Sequence, residues 1–200
     1  MLVALVTDRL RRRAGDRPAV ADRLLPAGLV AAAALAGAAA SGSSSQWYRR
    51  LDKPGYQPPR QVFPLAWTSL YADIIVTTTA ALHRGSAGQR RGLRAALAVN
   101  MLLNGSWTWV FFRAHRLGAA TAVAAALTVS SADLTRRTAA GSRRGWWLAA
   151  YPVWCAFATV LSADIWNRNR SEAVVVQPVP PRARPAPVPS VTGSAAFRPE

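Results

Sequence analysis

The chain has 200 residues, enough for one domain or one helix bundle with tails. Its hydrophobic residues (51%) gather in uncharged blocks at 26–40, 62–71, 97–112, 117–132 and 145–163, more than the core of a soluble domain of this length can hold. The net charge of +16 comes from 24 arginines and one lysine against nine acids; it sits in the gaps between blocks, as in membrane proteins, and no nucleic-acid-binding motif accompanies it.

Residues 1–23 form a basic N-terminal segment carrying Arg9, Arg11, Arg12, Arg13, Arg17 and Arg23. The following run, Leu24 to Ala40, reads as a first membrane helix. A signal peptide ending near the AAAS of residues 38–41 is the alternative. Gly28, Ala32, Ala36 and Ala40 recur every four residues, a face that lets another helix backbone come close.

Loop one spans Ser41 to Gln61. Pro54, Pro58 and Pro59 stop a helix there. Trp47, Tyr48, Leu51 and Tyr56 make it too apolar for an ordinary loop, so it is expected to fold back onto the bundle as a lid; an interfacial aromatic belt is the rival reading.

Helix two is expected over about Phe63 to Leu82, with Pro64 in its first turn. It carries Asp73 near its middle, where a carboxylate costs roughly 2.5–3.5 kcal/mol. Asp73 should therefore face the interior, pair with a base, or be protonated. Helix three is expected over about Gly92 to Phe112, with Asn100, Asn104, Trp107 and Phe111 on one face. Helix four runs from about Leu117 to Arg137, with Asp133 and Arg137 as an i, i+4 pair. Helix five runs from about Gly145 to Asn167, with Trp147, Tyr151, Trp154, Ala158 and Leu161 in one stripe and Pro152 as a kink. From residue 170 the chain is Pro-rich and aperiodic, a disordered tail with polyproline II character.

Chemistry-bearing motifs are scarce. The single Cys155 excludes an internal disulfide and a cysteine metal cluster, and His83 and His115 lack partners at ligand spacing, so no metal site is expected. There is no nucleophile elbow, P-loop or paired carboxylate, and no catalytic residue is proposed. What remains is an aromatic-lined pocket in a five-helix, all-α membrane protein. Basic residues near the helix ends number fourteen on the N-terminal side of the bilayer and eight on the other. The positive-inside rule then puts the N-terminus in the cytoplasm and loop one outside.

Four ordered motifs narrow the field. WYxxLxKPxYxPP (Trp47 to Pro59), FPxxWTxLY (Phe63 to Tyr71), LNxxWTxxFF (Leu103 to Phe112) and YxxWxxFATxLxxxIWxxN (Tyr151 to Asn169) resemble the TspO/MBR family of tryptophan-rich sensory and translocator proteins. The resemblance covers about 46–169 and implies a five-helix transmembrane domain, 24–169 here, with a cavity under loop one. It implies a multi-pass protein of the lipid bilayer, a bacterial cell membrane in this case, that binds porphyrins such as protoporphyrin IX or haem-like tetrapyrroles, needs no cofactor and often pairs as a homodimer. Carried over by motif, the ligand-binding residues are Trp67, Asn104, Trp107, Phe111, Tyr151 and Trp154, and the lid residues are Trp47, Lys53, Pro54, Tyr56, Pro58 and Pro59. The chain departs from the family pattern at Gly105 (usually aromatic, so a wider pocket), Ala150, Pro152, Ser162, Ala163 (the sterol-associated tyrosine elsewhere), Asp73 and Asp164. Sensing, scavenging or transport is the function implied. Light-dependent porphyrin breakdown and a structural subunit with a vestigial pocket are the alternatives.

Overall fold

A computed structural model describes residues 20–43, 45–140 and 142–170. Most of the basic N-terminal segment and the Pro-rich tail from 171 lie outside these residues. Among the described residues every regular element is helical. Helix α1 is Val20–Ala40, α2 is Val62–Arg84, α3 is Ala87–Thr108, α4 is Leu117–Ala139 and α5 is Ala150–Arg170. All five spans are long and apolar enough to cross a membrane. Only 22–33% of each span's apolar window is buried inside the bundle, so the remaining apolar side chains need lipid around them.

Helix α4 lies between α5 and α3, and α1 packs on α3 and α2. The core joins Leu70 and Ile74 of α2, Leu93, Leu97 and Met101 of α3, Leu127 and Leu134 of α4, and Tyr151 and Cys155 of α5.

Helix α3 starts five residues before the apolar block suggests. A capping box explains this: the Ser86 hydroxyl accepts the Gln89 N–H at 3.4 Å and the Gln89 side chain accepts the Ser86 N–H at 2.8 Å. Its far end runs into a π-helical turn, Trp109–Arg113, before His115 at φ 54° reverses the chain.

The helix expected from Gly145 begins as a 3₁₀ segment, Arg143–Ala149, and becomes α-helical at Ala150. Pro152 therefore sits in the first turn of α5, where a missing N–H costs little, and opens the helix instead of kinking it. The change of pitch also takes Trp147 out of the predicted stripe: it is 68% exposed. Gly145 fixes this corner. A Cβ there would lie 2.3 Å from the Thr138 carbonyl carbon and oxygen.

The packing face of α1 is rotated from the one predicted. Asp22, Pro26, Val30, Ala33 and Ala40 are buried, whereas Gly28 and Ala32 point outward. Asp22 sets the rotation. Its carboxylate is fully buried between Arg90, at 3.8 Å, and Arg94, which forms a shorter ion pair and hydrogen bond to it. Burying a charge demands such partners.

Asp73 is corrected too. Ile74, Thr77 and Thr78 take the inward face of α2, and Asp73, one residue off, is only half-buried. Among the described residues its carboxylate has no basic partner, so of the three options open to it pairing with a base is not realised. Asp133 pairs with Arg137 as expected, at 2.5 Å, and also with Arg136 at 2.6 Å. Asp164 pairs with Arg168 at 3.0 Å.

Candidate functional site

At the loop-one end, the five helices enclose a cavity of about 850 Å³. Helical spacing builds its walls. Phe63, Trp67 and Tyr71 are i, i+4 and i+8 on α2, and Asn104, Trp107 and Phe111 are spaced three and four apart on α3 and the π turn. Trp154, Ala158 and Leu161 repeat the pattern on α5, while Ala34, Gly37 and Ala38 of α1 leave room by being small. The rings brace one another. Trp107 stacks on Phe111 with centroids 5.2 Å apart, Phe63 meets Trp154 edge-on at 6.0 Å, and Trp67 lies 5.5 Å from Tyr71. Such pairs add about 0.5–1.5 kcal/mol each beyond their buried area.

A chain of hydrogen bonds closes the cavity floor. The Tyr71 hydroxyl donates to Asn104 Oδ1 at 2.8 Å, and Asn104 Nδ2 donates to the Tyr151 hydroxyl at 3.4 Å. Tyr151 in turn donates to Asn100 Oδ1 at 2.8 Å, and Asn100 Nδ2 donates to Ser130 Oγ at 3.1 Å. Four helices are tied through side chains that would be costly to bury alone. By contrast, the buried indole N–H groups of Trp107 and Trp154, both on the cavity wall, meet no acceptor among the described residues. An N–H left so costs about 1–3 kcal/mol.

Loop one covers the mouth. Its one helical turn, Gln46–Arg50, is capped by Ser45, whose hydroxyl accepts the Tyr48 N–H at 3.2 Å. Trp47 stacks on His115 at 3.9 Å and meets Phe111 edge-on at 5.8 Å. Tyr48 packs 5.3 Å from Phe112, and burial pushes its phenol pKa up, so it stays neutral. Lys53 donates to the Leu51 carbonyl at 3.0 Å and lies 4.7 Å over the Tyr48 ring. A reciprocal clip fastens the loop to the end of α5: the Asp52 N–H donates to Asn169 Oδ1 at 3.0 Å, and Asn169 Nδ2 donates to the Asp52 carbonyl at 2.9 Å.

Of the residues singled out from sequence, Trp67, Asn104, Trp107, Phe111 and Trp154 lie on the cavity wall. Tyr151 lies behind it, fully buried, and reaches the site only through Asn104. In loop one, Trp47 braces the loop on the bundle through His115 and Phe111, Pro54 is buried, and Lys53 ties the loop to itself through the Leu51 carbonyl and the Tyr48 ring. Tyr56 is half exposed beside Phe157, and Pro58 and Pro59 shape the descent to α2. Among the four loop-one cations Arg49, Arg50, Lys53 and Arg60, only Arg60 lines the cavity. Sequence reasoning passed over Tyr71, Phe112 and Cys155, which also line it. The Trp67 to Tyr71 spacing of four was the signal for the first of these. Gly105 does not widen the cavity: it faces α1, where a Cβ would touch Ala36 at 3.8 Å and Ala33 at 3.9 Å.

With a tryptophan-lined cavity between five membrane helices, comparison with known proteins becomes decisive. The model of the TspO/MBR family matches residues 25–167. The chain belongs to the TspO/MBR family. It is 34% identical to the tryptophan-rich sensory protein of Cereibacter sphaeroides over 134 residues, 64% of this chain and 82% of that protein. It is 32% identical to protein CrtK of Rhodobacter capsulatus over 148 residues, 72% and 91% of the two chains. The human translocator protein is 30% identical over 139 residues, 64% of this chain and 78% of that one. TspO/MBR membership and the five spans make this a multi-pass integral membrane protein.

Proposed function

We propose that the protein binds a flat, largely apolar tetrapyrrole such as protoporphyrin IX in the cavity beneath loop one, for sensing, scavenging or transport. The observation that carries this reading is an 850 Å³ cavity walled by Trp67, Trp107, Phe111 and Trp154, with the indole N–H groups of Trp107 and Trp154 buried and without an acceptor among the described residues. A cavity of that size suits a ligand of drug size or somewhat larger. Trp67, Trp107, Phe111 and Trp154 supply ring surface. The two indoles donate to acceptors on the ligand edge, and Arg60 at the mouth meets its carboxylates. Asn104 and Tyr151 hold the floor in shape. Loop one acts as the lid, facing outward, with the N-terminus in the cytoplasm. The same reading makes the protein a homodimer, which light scattering on the solubilised protein checks; a monomer mass removes that part.

The test is a titration of purified protein with protoporphyrin IX followed by tryptophan fluorescence. Saturable quenching is expected. Trp107→Phe and Trp154→Phe, which keep a ring and lose the donor, should each weaken binding by about 3- to 10-fold. Quenching that never saturates points to a structural subunit instead. Porphyrin consumed in light but not in darkness points to the degrading enzyme.

A further inference from the structure

At the end of the bundle opposite loop one, a second cavity of about 190 Å³ opens between the last turn of α2, the first turns of α3 and the last turns of α4. Arg84, Arg136 and Arg137 line it over an apolar base of Ala81 and Leu93. Among the described residues the carboxylate bonded to these arginines is Asp133, which accepts from Arg136 Nη2 and Arg137 Nε, and Asp22 is buried against Arg90 and Arg94. Two of the three guanidiniums therefore share one carboxylate, Arg84 is bonded to none among the described residues, and most of their N–H donors stay available. Gly92 makes room for this. A Cβ there would stand 3.1 Å from Arg137 Nη1, so the guanidinium lies close against α3.

Two further features fix the kind of occupant. Trp146 and Trp147, in the 3₁₀ segment that follows α4, are 60% and 68% exposed. Exposed tryptophans flanking apolar spans mark headgroup depth in a bilayer. The cluster is also all arginine, the residue whose planar fork grips phosphate oxygens in pairs. Basic pockets between transmembrane helices at this depth hold phosphate headgroups.

We propose that this pocket binds the phosphate of an anionic phospholipid, with the lipid's first carbons on Ala81 and Leu93. The site is independent of the aromatic cavity, and either can fail without the other.

The test is the melting temperature of the purified full chain in zwitterionic detergent, titrated with short-chain phosphatidylglycerol, short-chain phosphatidylcholine or inorganic phosphate. Phosphatidylglycerol should stabilise saturably and in a salt-sensitive way, and the other two should not. Each arginine near a headgroup is worth ~1 kcal/mol, about 5-fold in affinity, so Arg84→Gln should weaken binding about 5-fold and the Arg84→Gln/Arg137→Gln pair about 25-fold. Arg84→Gln alone keeps the proposal testable if the pair folds poorly, since Arg84 is exposed at the helix end. Arg116→Gln, at the other end of the bundle, should leave the response unchanged and controls for overall charge. Equal stabilisation by phosphatidylcholine, or an equal loss in Arg116→Gln, would overturn the site. Equal stabilisation by inorganic phosphate would overturn the lipid as its occupant.

Discussion

Asn104 shows what a single amide does in this bundle. Its Oδ1 is held by Tyr71 and its Nδ2 by Tyr151, so both polar ends are committed within the protein. The geometry favours a scaffold role over direct ligand contact. Hydrogen bonds between membrane helices average ~0.6 kcal/mol and reach about 1.7. Asn104→Leu should therefore cost about 1 kcal/mol, a fall in melting temperature of roughly 2–4 °C. Tyr71→Phe should lose less in Asn104→Leu than in the wild type, because its partner is already gone. A double-mutant cycle measures this coupling, and additive losses would show that the Tyr71–Asn104 bond contributes nothing. The one-face spacing of Asn104, Trp107 and Phe111 was legible from the sequence because it is local to a helix. The partners Tyr71, Tyr151 and Ser130 were not, because they come from three other helices whose rotations no periodicity records.

The elements are held in register by Gly145 and one clip, Gly105 serves as a contrast, and each makes a separate forecast. Gly145→Ala should destabilise the fold strongly, since its Cβ would overlap the Thr138 carbonyl at 2.3 Å and backbone cannot yield as a side chain can. Gly105→Ala should be neutral or mildly stabilising: its Cβ finds ordinary contact at 3.8 Å, and alanine gains up to ~1 kcal/mol of helix propensity. Thermal melts of the two variants separate these outcomes, and a stable Gly145→Ala would contradict the corner as described. Asn169→Ala removes both side-chain bonds of the loop-one clip and leaves the bundle core untouched. Porphyrin should then dissociate several-fold faster with little change in melting temperature, as stopped-flow fluorescence would record. An unchanged rate would mean that the loop's other contacts, Trp47 on His115 and Tyr48 on Phe112 among them, hold it without the clip. The apolar blocks marked the helices well. Boundaries slipped where polar residues did the work: the capping box at Ser86 added a turn that hydropathy misses, and Gly145 forced a 3₁₀ start that took Trp147 off its stripe.

Across the whole molecule, contacts sort the chain into two ends. Loop one, the turn after α3 and the end of α5 meet through Trp47–His115 and Asp52–Asn169. The start of α1 meets the start of α3 through Asp22 and Arg94. Among the described residues the second end therefore carries nine basic residues, Arg23, Arg84, Arg90, Arg91, Arg94 and the four arginines around the α4–α5 corner, against eight at the first end, and the sequence ahead of α1 holds five more arginines. Positive charge near short loops is retained on the cytoplasmic side, so the prediction is that loop one and the aromatic cavity's mouth lie outside. Gly55 and Gly88 test this cleanly. Both lie in exposed positions at opposite ends, and a Cβ added at either meets nothing within 4 Å. In a Cys155→Ala background, Gly55→Cys should react with a membrane-impermeant maleimide on intact cells, and Gly88→Cys only after the membrane is opened. Reaction of both on intact cells would refute five spans. Reaction of Gly88→Cys alone would invert the orientation and put the cavity mouth in the cytoplasm, where a ligand would have to arrive from inside the cell.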